Sequence, residues 1–561
     1  MTMTIADQTR DDTRLAGADA APSPTDQDFA LPPGGVPEPQ RKAVLDKLEN
    51  YFADLQGRFL GYQTNEDLKL REPMARFLDY HFNNVGDPFE DSHFTLHTRW
   101  AERAVLDYYA KLWHGKPRTK VNGEVPKDAY WGYVLTMGSS EGNNYALWNA
   151  RDYLSGKTLM REPAKDGGAQ YVWVQDTAPA DNQNAYSPVG FYSHDTHYSV
   201  AKALRVLNIP HFYEVGTKLY PYANPLDPGK PWDHEVPSTG GDSGPGSIDV
   251  DKLARLVEFF ASMGHPVMIN LNYGSTFKGA YDDVAGICDR LRPIFARYGL
   301  DKRKVRYGRD ENGNELVDER TGHWIHVDGA LAATYAPFIE KLVDAGEIKP
   351  ATPLPKFDFR IPEVASIVTS GHKYPGAPWP CGVFMTKANL QMQPPEQPAV
   401  IGSPDTTFGG SRNAFSPLVM WHFLAKHSER DQMTMIRTAL EVTDHAEKKL
   451  KELGGTWEAA RTPLALTVRF KQPPPELVHK YSLATIPLKV GHEVLHYAHL
   501  YVMPHVTKEM IDALVADLAK TSPVSMPVQR GGADLATYVD GSADTGDIAR
   551  LALVHVSGSA F

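Results

Sequence analysis

Between about residues 115 and 395, short apolar runs alternate with amphipathic stretches of helical period. That alternation restricts the chain to an α/β fold, a mostly parallel sheet flanked by helices. With 561 residues and 42% apolar content there is ample material for such a core and for more than one domain. Two segments interrupt the pattern and read as surface excursions, 222–247 dense in Pro, Gly and Asp, and 301–322 rich in charge. Residues 1–38, rich in Asp, Ala, Pro and Thr, read as a disordered or loosely docked arm. A helical segment follows over 39–115, with its patterning starting near Glu38, and the sheet domain occupies 116–395. A loop region covers 396–425, and a long helix over 416–453 leads into a smaller α/β domain within 426–520. Residues 521–561 form an extension without an assigned role.

Four strand ends carry chemistry. The apolar run Val364–Thr369 runs into Ser370-Gly371-His372-Lys373-Tyr374-Pro375-Gly376. A lysine there, ringed by small residues, is badly placed for a solvated charge. A desolvated lysine has a depressed pKa and is nucleophilic, which suits an imine with an aldehyde cofactor; the alternative is a lysine that snorkels to water. Upstream, Trp324-Ile325-His326-Val327-Asp328-Gly329-Ala330 ends a strand in a carboxylate followed by two tiny residues. Asp328 can hold a protonated ring nitrogen, with room beside it for a flat ring, or it can cap the next turn. In Tyr133–Asn144 a strand runs through Gly138 into a helix that begins with Ser139 and Ser140, an anion site suited to phosphate. A plain N-cap with Glu141 in the first turn fits the same residues. The spacing matches neither a Walker A loop nor a dinucleotide fingerprint. Finally, a strand ends near Tyr192 and a helix begins after His197, whose imidazole can stack on a ring. His194 and His197 lack an acidic or cysteine partner at metal-binding spacing, so no metal is assigned.

In this order, Gly-Ser-Ser-Glu-Gly-Asn, His-Tyr-Ser-Val, His-Val-Asp-Gly-Ala and Ser-Gly-His-Lys resemble the group II pyridoxal-phosphate decarboxylases, above all the branch of bacterial histidine and plant serine decarboxylases. The resemblance spans roughly residues 50–520 and continues in Asn83–Phe89, Asn272–Thr276, Pro380–Val383, Gly410–Asn413 and Tyr501–Thr507. It implies the fold type I architecture of pyridoxal-phosphate enzymes (aspartate aminotransferase-like), a large sheet domain plus a small C-terminal α/β domain. It also implies an obligate homodimer with active sites at the subunit interface, pyridoxal 5'-phosphate as cofactor, and a carboxy-lyase that works through a quinonoid carbanion. By the same resemblance Lys373 holds the cofactor, Asp328 its ring nitrogen, and His197 and Ala330 its two faces. Ser139, Ser140 and His372 fall to the phosphate, Ser370 is counted among the cofactor-binding residues, Thr276 lies beside the ring, and Ser411 reaches the phosphate of the partner subunit's cofactor. Tyr62 and the Asn83–Phe89 loop, with Asn84, line the substrate pocket.

One departure stands out. The family's catalytic loop carries a proton-donating tyrosine about a dozen residues before Gly-Ser-Arg-Asn, and an ungapped match places Val400 there. His197 and Tyr374 are the replacement donors, or the reaction ends in an aldehyde, as in relatives that lack the tyrosine. The usual Gly-Tyr-Pro is Gly61-Tyr62-Gln63. With the apolar Val400, and a chain length resembling the streptomycete valine decarboxylases, this favours valine or a similar branched-chain amino acid over histidine, serine or an aromatic one. A rival pattern, His492-Glu493-Val494-Leu495-His496, matches the zinc-peptidase motif, but that chemistry needs a helix and the segment runs into an apparent strand at His499–Pro504. A formal charge of −11 argues against a nucleic-acid partner. Two cysteines, Cys288 and Cys381, make no disulfide framework. No secretory signal or membrane-length apolar stretch is read, and the expectation is a cytoplasmic enzyme acting on a small-molecule amino acid.

Overall fold

The computed structural model describes residues 21–163, 169–310, 312–392, 398–490 and 493–524. In chain order the strands are β1 (Tyr130–Leu135), the hairpin β2 (Lys157–Pro163) and β3 (Ala169–Gln175), β4 (Val189–Phe191) and β5 (Val267–Asn272). The hairpin β6 (Arg303–Arg309) and β7 (Glu315–Arg320) precedes β8 (His323–Asp328), β9 (Val364–Ser370) and β10 (Gly382–Lys387). Then come β11 (Thr467–Lys471), β12 (Ala484–Val490) and β13 (Glu493–Tyr501). The central sheet has the order β1-β10-β9-β8-β5-β4. Strands β4, β5, β8 and β9 are parallel, and β10 runs against both β9 and β1, so β1 points the same way as β9. Five strands therefore bring their carboxyl ends to one edge.

The apolar runs are continuous rather than alternating because both faces of the sheet are covered. Every residue of β1, β5, β8 and β9 is buried. The helix Ser139–Leu154 packs Tyr145 among Trp131, Tyr133 and Phe384 and Leu147 and Leu154 in the cluster around Trp324 and Met268. Each such side chain removed from water contributes roughly 1.5–3 kcal/mol. The 301–322 excursion is the β6–β7 hairpin. The 222–247 excursion lays Val236 beside the end of β4, with Val236 N–H donating to Tyr192 O at 3.0 Å and His194 N–H to Val236 O at 3.1 Å. An edge strand with free backbone groups is a template for aggregation; here Gly190 N–H of β4 donates to Pro210 O at 2.9 Å, and Val236 extends the cover past the strand's end.

The chain divides into two units, one of residues 1–63, 439–461 and 466–561, the other of 64–438 with 462–465. The expected 39–115 segment is thus cut at residue 63, for a local reason. In the first unit Leu60 N–H donates to Tyr481 O at 3.1 Å, and Leu60 O accepts from Tyr501 N–H at 2.7 Å. Gly61 lies so close that a Cβ would stand 2.0 Å from Ser482 O. The anticipated long helix is two, Phe415–Lys426 and Glu429–Glu452. His427 between them is extended, and Ser428 restarts the helix with its N–H and hydroxyl donating to Asp431 at 2.9 and 2.7 Å. The zinc-peptidase pattern does not survive. Glu493–Tyr501 is a strand between β11 and β12, not the helix that motif requires. His492 lies outside the described residues, as do the arm over 1–20 and the extension from 525.

Candidate active site

At the carboxyl end of β1 the chain turns through Gly138, with φ 67° and ψ −167°, into the helix Ser139–Leu154. Glu141 reaches back from the first turn, accepting from the N–H groups of Thr136 and Met137 at 2.7 and 2.8 Å. That pins the loop ahead of the helix start, where the Ser139 N–H lies 3.4 Å from Ser370 Oγ and the positive end of the helix favours an anion. The Ser139 hydroxyl lies 2.8 Å from the Ser370 hydroxyl at the end of β9, which joins the two strand ends across β10. Against Gly138 sits the His372 imidazole, where a Cβ would come within 2.7 Å of its Cε1. Burial, with the charge of Lys373, lowers the His372 pKa to about 4, so the ring is neutral.

Beside this pocket stands Lys373. Burial draws its pKa below the ordinary 10.5, and the Asp328 carboxylate partly opposes the shift. Asp328, buried at the end of β8, accepts from Ala330 N–H at 3.1 Å and from Asn143 Nδ2 at 2.8 Å. A carboxylate offers about four acceptor positions, so capacity remains for a ring N–H. His197 caps the helix Tyr198–Val206, its Nδ1 accepting from Ser199 N–H at 3.3 Å. Its pKa falls to about 4, through burial and then Lys373, against the pull of Asp328. Ala330 follows Asp328 and accepts from Ser370 N–H at 3.0 Å. Half-buried Ser140 stands at the helix start and half-buried Thr276 in the loop after β5. Tyr374 is buried, its hydroxyl has no partner among the described residues, and burial raises its pKa.

This second unit gathers Gly138, Ser139, Ser370, His372, Lys373, Asp328 and His197 into one centre. The donor set fits pyridoxal phosphate, with a depressed lysine for the aldehyde, a carboxylate for the ring nitrogen, and a helix start with a hydroxyl for the phosphate. Other residues singled out in the sequence have different surroundings. Asn84 is wholly buried with its side chain engaged at both ends, Nδ2 donating to Glu102 at 2.8 Å and Oδ1 accepting from Thr98 N–H at 2.8 Å. Ser411 is exposed and accepts from Asn83 Nδ2 at 3.0 Å. Val400, 85% exposed, sits in a turn. Tyr62 belongs to the first unit, where it stacks on Phe59 at 5.6 Å.

Sequence reasoning missed Asn143, His326 and Ser366, all buried around Asp328. The available signal was period two on β8, which puts Trp324, His326 and Asp328 on one face. It also passed over Glu102, which holds the buried Arg412 guanidinium and accepts from Val134 N–H at 2.9 Å. A cleft of about 360 Å³, lined by Tyr153, His323, Trp324, Glu363 and Lys387, lies at the opposite end of the strands. Ligands of such sheets bind at the carboxyl ends, where the lysine is.

No family model matches the chain. A structure of L-methionine decarboxylase from Streptomyces sp. 590, in its internal aldimine form, is 47% identical with a TM-score of 0.81, covering 89% of this chain and 99% of that one. Serine decarboxylase 2 of Oryza sativa subsp. japonica is 28% identical over 486 residues, 86% of this chain and 79% of that protein. The histidine decarboxylase of Mesorhizobium japonicum is 27% identical over 482 residues, 86% of this chain and 98% of its own.

Proposed function

Because this chain belongs to the group II pyridoxal-phosphate-dependent amino acid decarboxylases, we propose that its substrate is an L-amino acid with an uncharged aliphatic side chain, L-methionine ahead of valine. The observation that carries the choice is the 47% identity to a methionine decarboxylase, against 27–28% to the histidine and serine enzymes. Its fold is that of fold type I enzymes, and its cofactor is pyridoxal phosphate. When bound, pyridoxal phosphate supplies an electron-poor ring that accepts the electron pair of the breaking Cα–carboxylate bond.

The residues divide the remaining work. Lys373 Nζ is the attachment point, and burial lowers its pKa, which makes its lone pair more available. Asp328 holds the proton on the ring nitrogen. Ser139 and the start of its helix hold the phosphate, with Ser140, Ser370 and the neutral His372 beside it. His197 and Ala330 bracket the ring, and Thr276 flanks it. Val400 offers no proton. Neutral His197 and the raised Tyr374 are weak acids, so Lys373, whose pKa burial lowers, is the group best matched to return a proton to Cα.

The working form is a homodimer. In the second unit Leu78, Tyr80, Trp100 and Trp421 are exposed, the first and third at 71% and 68%, and such apolar surface is what a second copy covers. Ser411 and Val400, both exposed, lie on the loop we assign to that interface, with Asn84 assigned to the frame of the substrate pocket. No helix among the described residues is long and apolar enough to cross a membrane. The test is a product assay by mass spectrometry with pyridoxal phosphate and single amino acids, namely methionine, valine, leucine, histidine and serine. The expected result is 3-methylthiopropylamine from methionine, without peroxide. A preference for histidine or serine refutes the substrate, and an aldehyde with peroxide refutes the proton return.

A further inference from the structure

Behind the site, Asp328 ends a line of hydrogen bonds that runs back through the sheet. Trp324 Nε1 lies 3.1 Å from Ser366 Oγ, which lies 2.8 Å from His326 Nδ1. His326 Nε2 lies 2.9 Å from Asn143 Oδ1, and Asn143 Nδ2 lies 2.8 Å from Asp328 Oδ2. The same Nδ2 lies 3.1 Å from Ser199 Oγ, itself 2.8 Å from His197 Nδ1. Asn143, Ser199, Trp324, His326, Asp328 and Ser366 are all buried, and Ser366 is the register partner of His326 across β8 and β9.

The donors and acceptors leave one direction for this line. An indole N–H only donates, so Ser366 Oγ accepts from Trp324. The Asp328 carboxylate only accepts, so Asn143 Nδ2 faces it, Oδ1 accepts from His326 Nε2, and Ser366 turns its own proton to the bare Nδ1. Burial lowers the His326 pKa to about 4, so the ring is neutral and its single proton is on Nε2, donating to Asn143 Oδ1. The amide is thereby oriented with its NH2 toward the Asp328 carboxylate and Ser199. Turned over, it would set oxygen against carboxylate and leave the His326 N–H facing a donor, two buried mismatches. On the other branch, Ser199 N–H donates to His197 Nδ1, so the His197 ring proton is on Nε2.

We propose that Asn143 is a positioning residue, one amide that holds Asp328 as a carboxylate toward the ring nitrogen and His197 as the Nε2–H tautomer, while His326, Ser366 and Trp324 set which way that amide points. The proposal rests on the reading of Asp328 as the partner of the ring nitrogen. It assigns these buried residues a role in tuning the cofactor rather than in packing.

The readout is the pH at which the absorption band of the resting, pyridoxal-phosphate-loaded enzyme titrates, together with the 15N signal of the cofactor's ring nitrogen. Without the Asn143 N–H, the carboxylate charge is less dispersed and the ring proton shifts toward Asp328. Both effects raise the proton affinity of the Lys373 linkage. Asn143→Leu and His326→Phe are each expected to raise the midpoint by about one pH unit, a tenfold change. His326→Gln keeps a donor and is expected to restore the wild-type midpoint. The double variant Asn143→Leu/His326→Phe should match Asn143→Leu alone, because both act through one amide. Trp324→Phe removes the indole N–H together with part of the buried ring; it should shift the midpoint upward by less, and it stands in if His326→Phe does not fold. Asp328→Asn separates the two claims. If it leaves midpoint and 15N signal unchanged, the reading of Asp328 is wrong. If it moves them while Asn143→Leu does not, or if the single shifts add, the positioning role is refuted.

Discussion

Adding one methyl group at Gly138 should loosen the phosphate site by an amount that can be worked out beforehand. With φ 67° and ψ −167°, position 138 has a backbone that a residue with a Cβ adopts at a cost of roughly 1–3 kcal/mol. The new Cβ would also stand 2.7 Å from His372 Cε1 and 3.4 Å from its Nδ1. The ring cannot swing away freely, because Nδ1 is bonded to Cys381 O at 3.0 Å, so overpacking adds roughly 1–3 kcal/mol. Allowing for relaxation, Gly138→Ala should cost about 2–4 kcal/mol. For a unit of about 380 residues the unfolding entropy is roughly 0.8 kcal/mol per degree, so the apoenzyme Tm should fall by about 3–5 °C. Ser139 follows directly, so relieving the clash moves the phosphate's donors. Losing one charge-assisted hydrogen bond, about 1.5–3 kcal/mol, corresponds to a Kd for pyridoxal phosphate raised roughly 10- to 150-fold. Calorimetry of the apoenzyme and a fluorescence titration with the cofactor measure the two. Gly138→Ala/His372→Ala should recover the steric share and keep the backbone share. An unchanged Tm together with a Kd within about twofold of wild type would refute a turn built on glycine against the imidazole.

Three further outcomes are expected. The rate at which apoenzyme captures pyridoxal phosphate should rise with pH through a midpoint below 10.5, and Asp328→Asn should move that midpoint lower, since the carboxylate raises the Lys373 pKa; an upward move contradicts the assignment. Glu102→Ala strands the buried Arg412 guanidinium and should destabilise the second unit by about 3–5 kcal/mol in a denaturant titration, a loss under about 1 kcal/mol being incompatible with a fully buried pair. His323 and His326 have pKa values lowered to about 4, and unfolding restores them toward 6.5. The unfolded chain therefore binds more protons between these values, and stability that is whole above pH 6.5 should be lost as pH falls toward 4, by up to about 3 kcal/mol for each histidine. His323→Phe should flatten that part of a melting profile, and a slope identical to wild type would contradict it.

The strand ends were legible because chemistry-bearing residues stand where an apolar run breaks into small residues, as at Val364–Lys373 and Trp324–Ala330. The line from Trp324 to Asn143 was not, although three of its members sit inside those motifs. It depends on the register that sets His326 opposite Ser366 and on a helix carried over β8, neither of which a one-dimensional pattern contains. Asn84 illustrates the same gap, since its side chain is committed to Glu102 and Thr98 on a neighbouring helix and its N-cap. The break at His427 was available locally, in Ser428 followed three residues later by Asp431, but the helical period on both sides concealed it. The division at residue 63 rests on backbone bonds from Leu60 to positions more than 400 residues away, and only the fold reveals them.

That last pairing governs the order in which the molecule can be made. Residues 64–438 form a nearly contiguous body that is made before Tyr481 and Tyr501, for which Leu60 must wait. At 5–20 residues per second Tyr501 follows residue 438 by about 3–13 s. Through that time residues 57–63 are an unpaired segment at the head of a chain whose main body can already be folded. A chain interrupted before Tyr501 keeps the lysine, the aspartate and the serines in place, and carries in front of them a free backbone edge open to other chains.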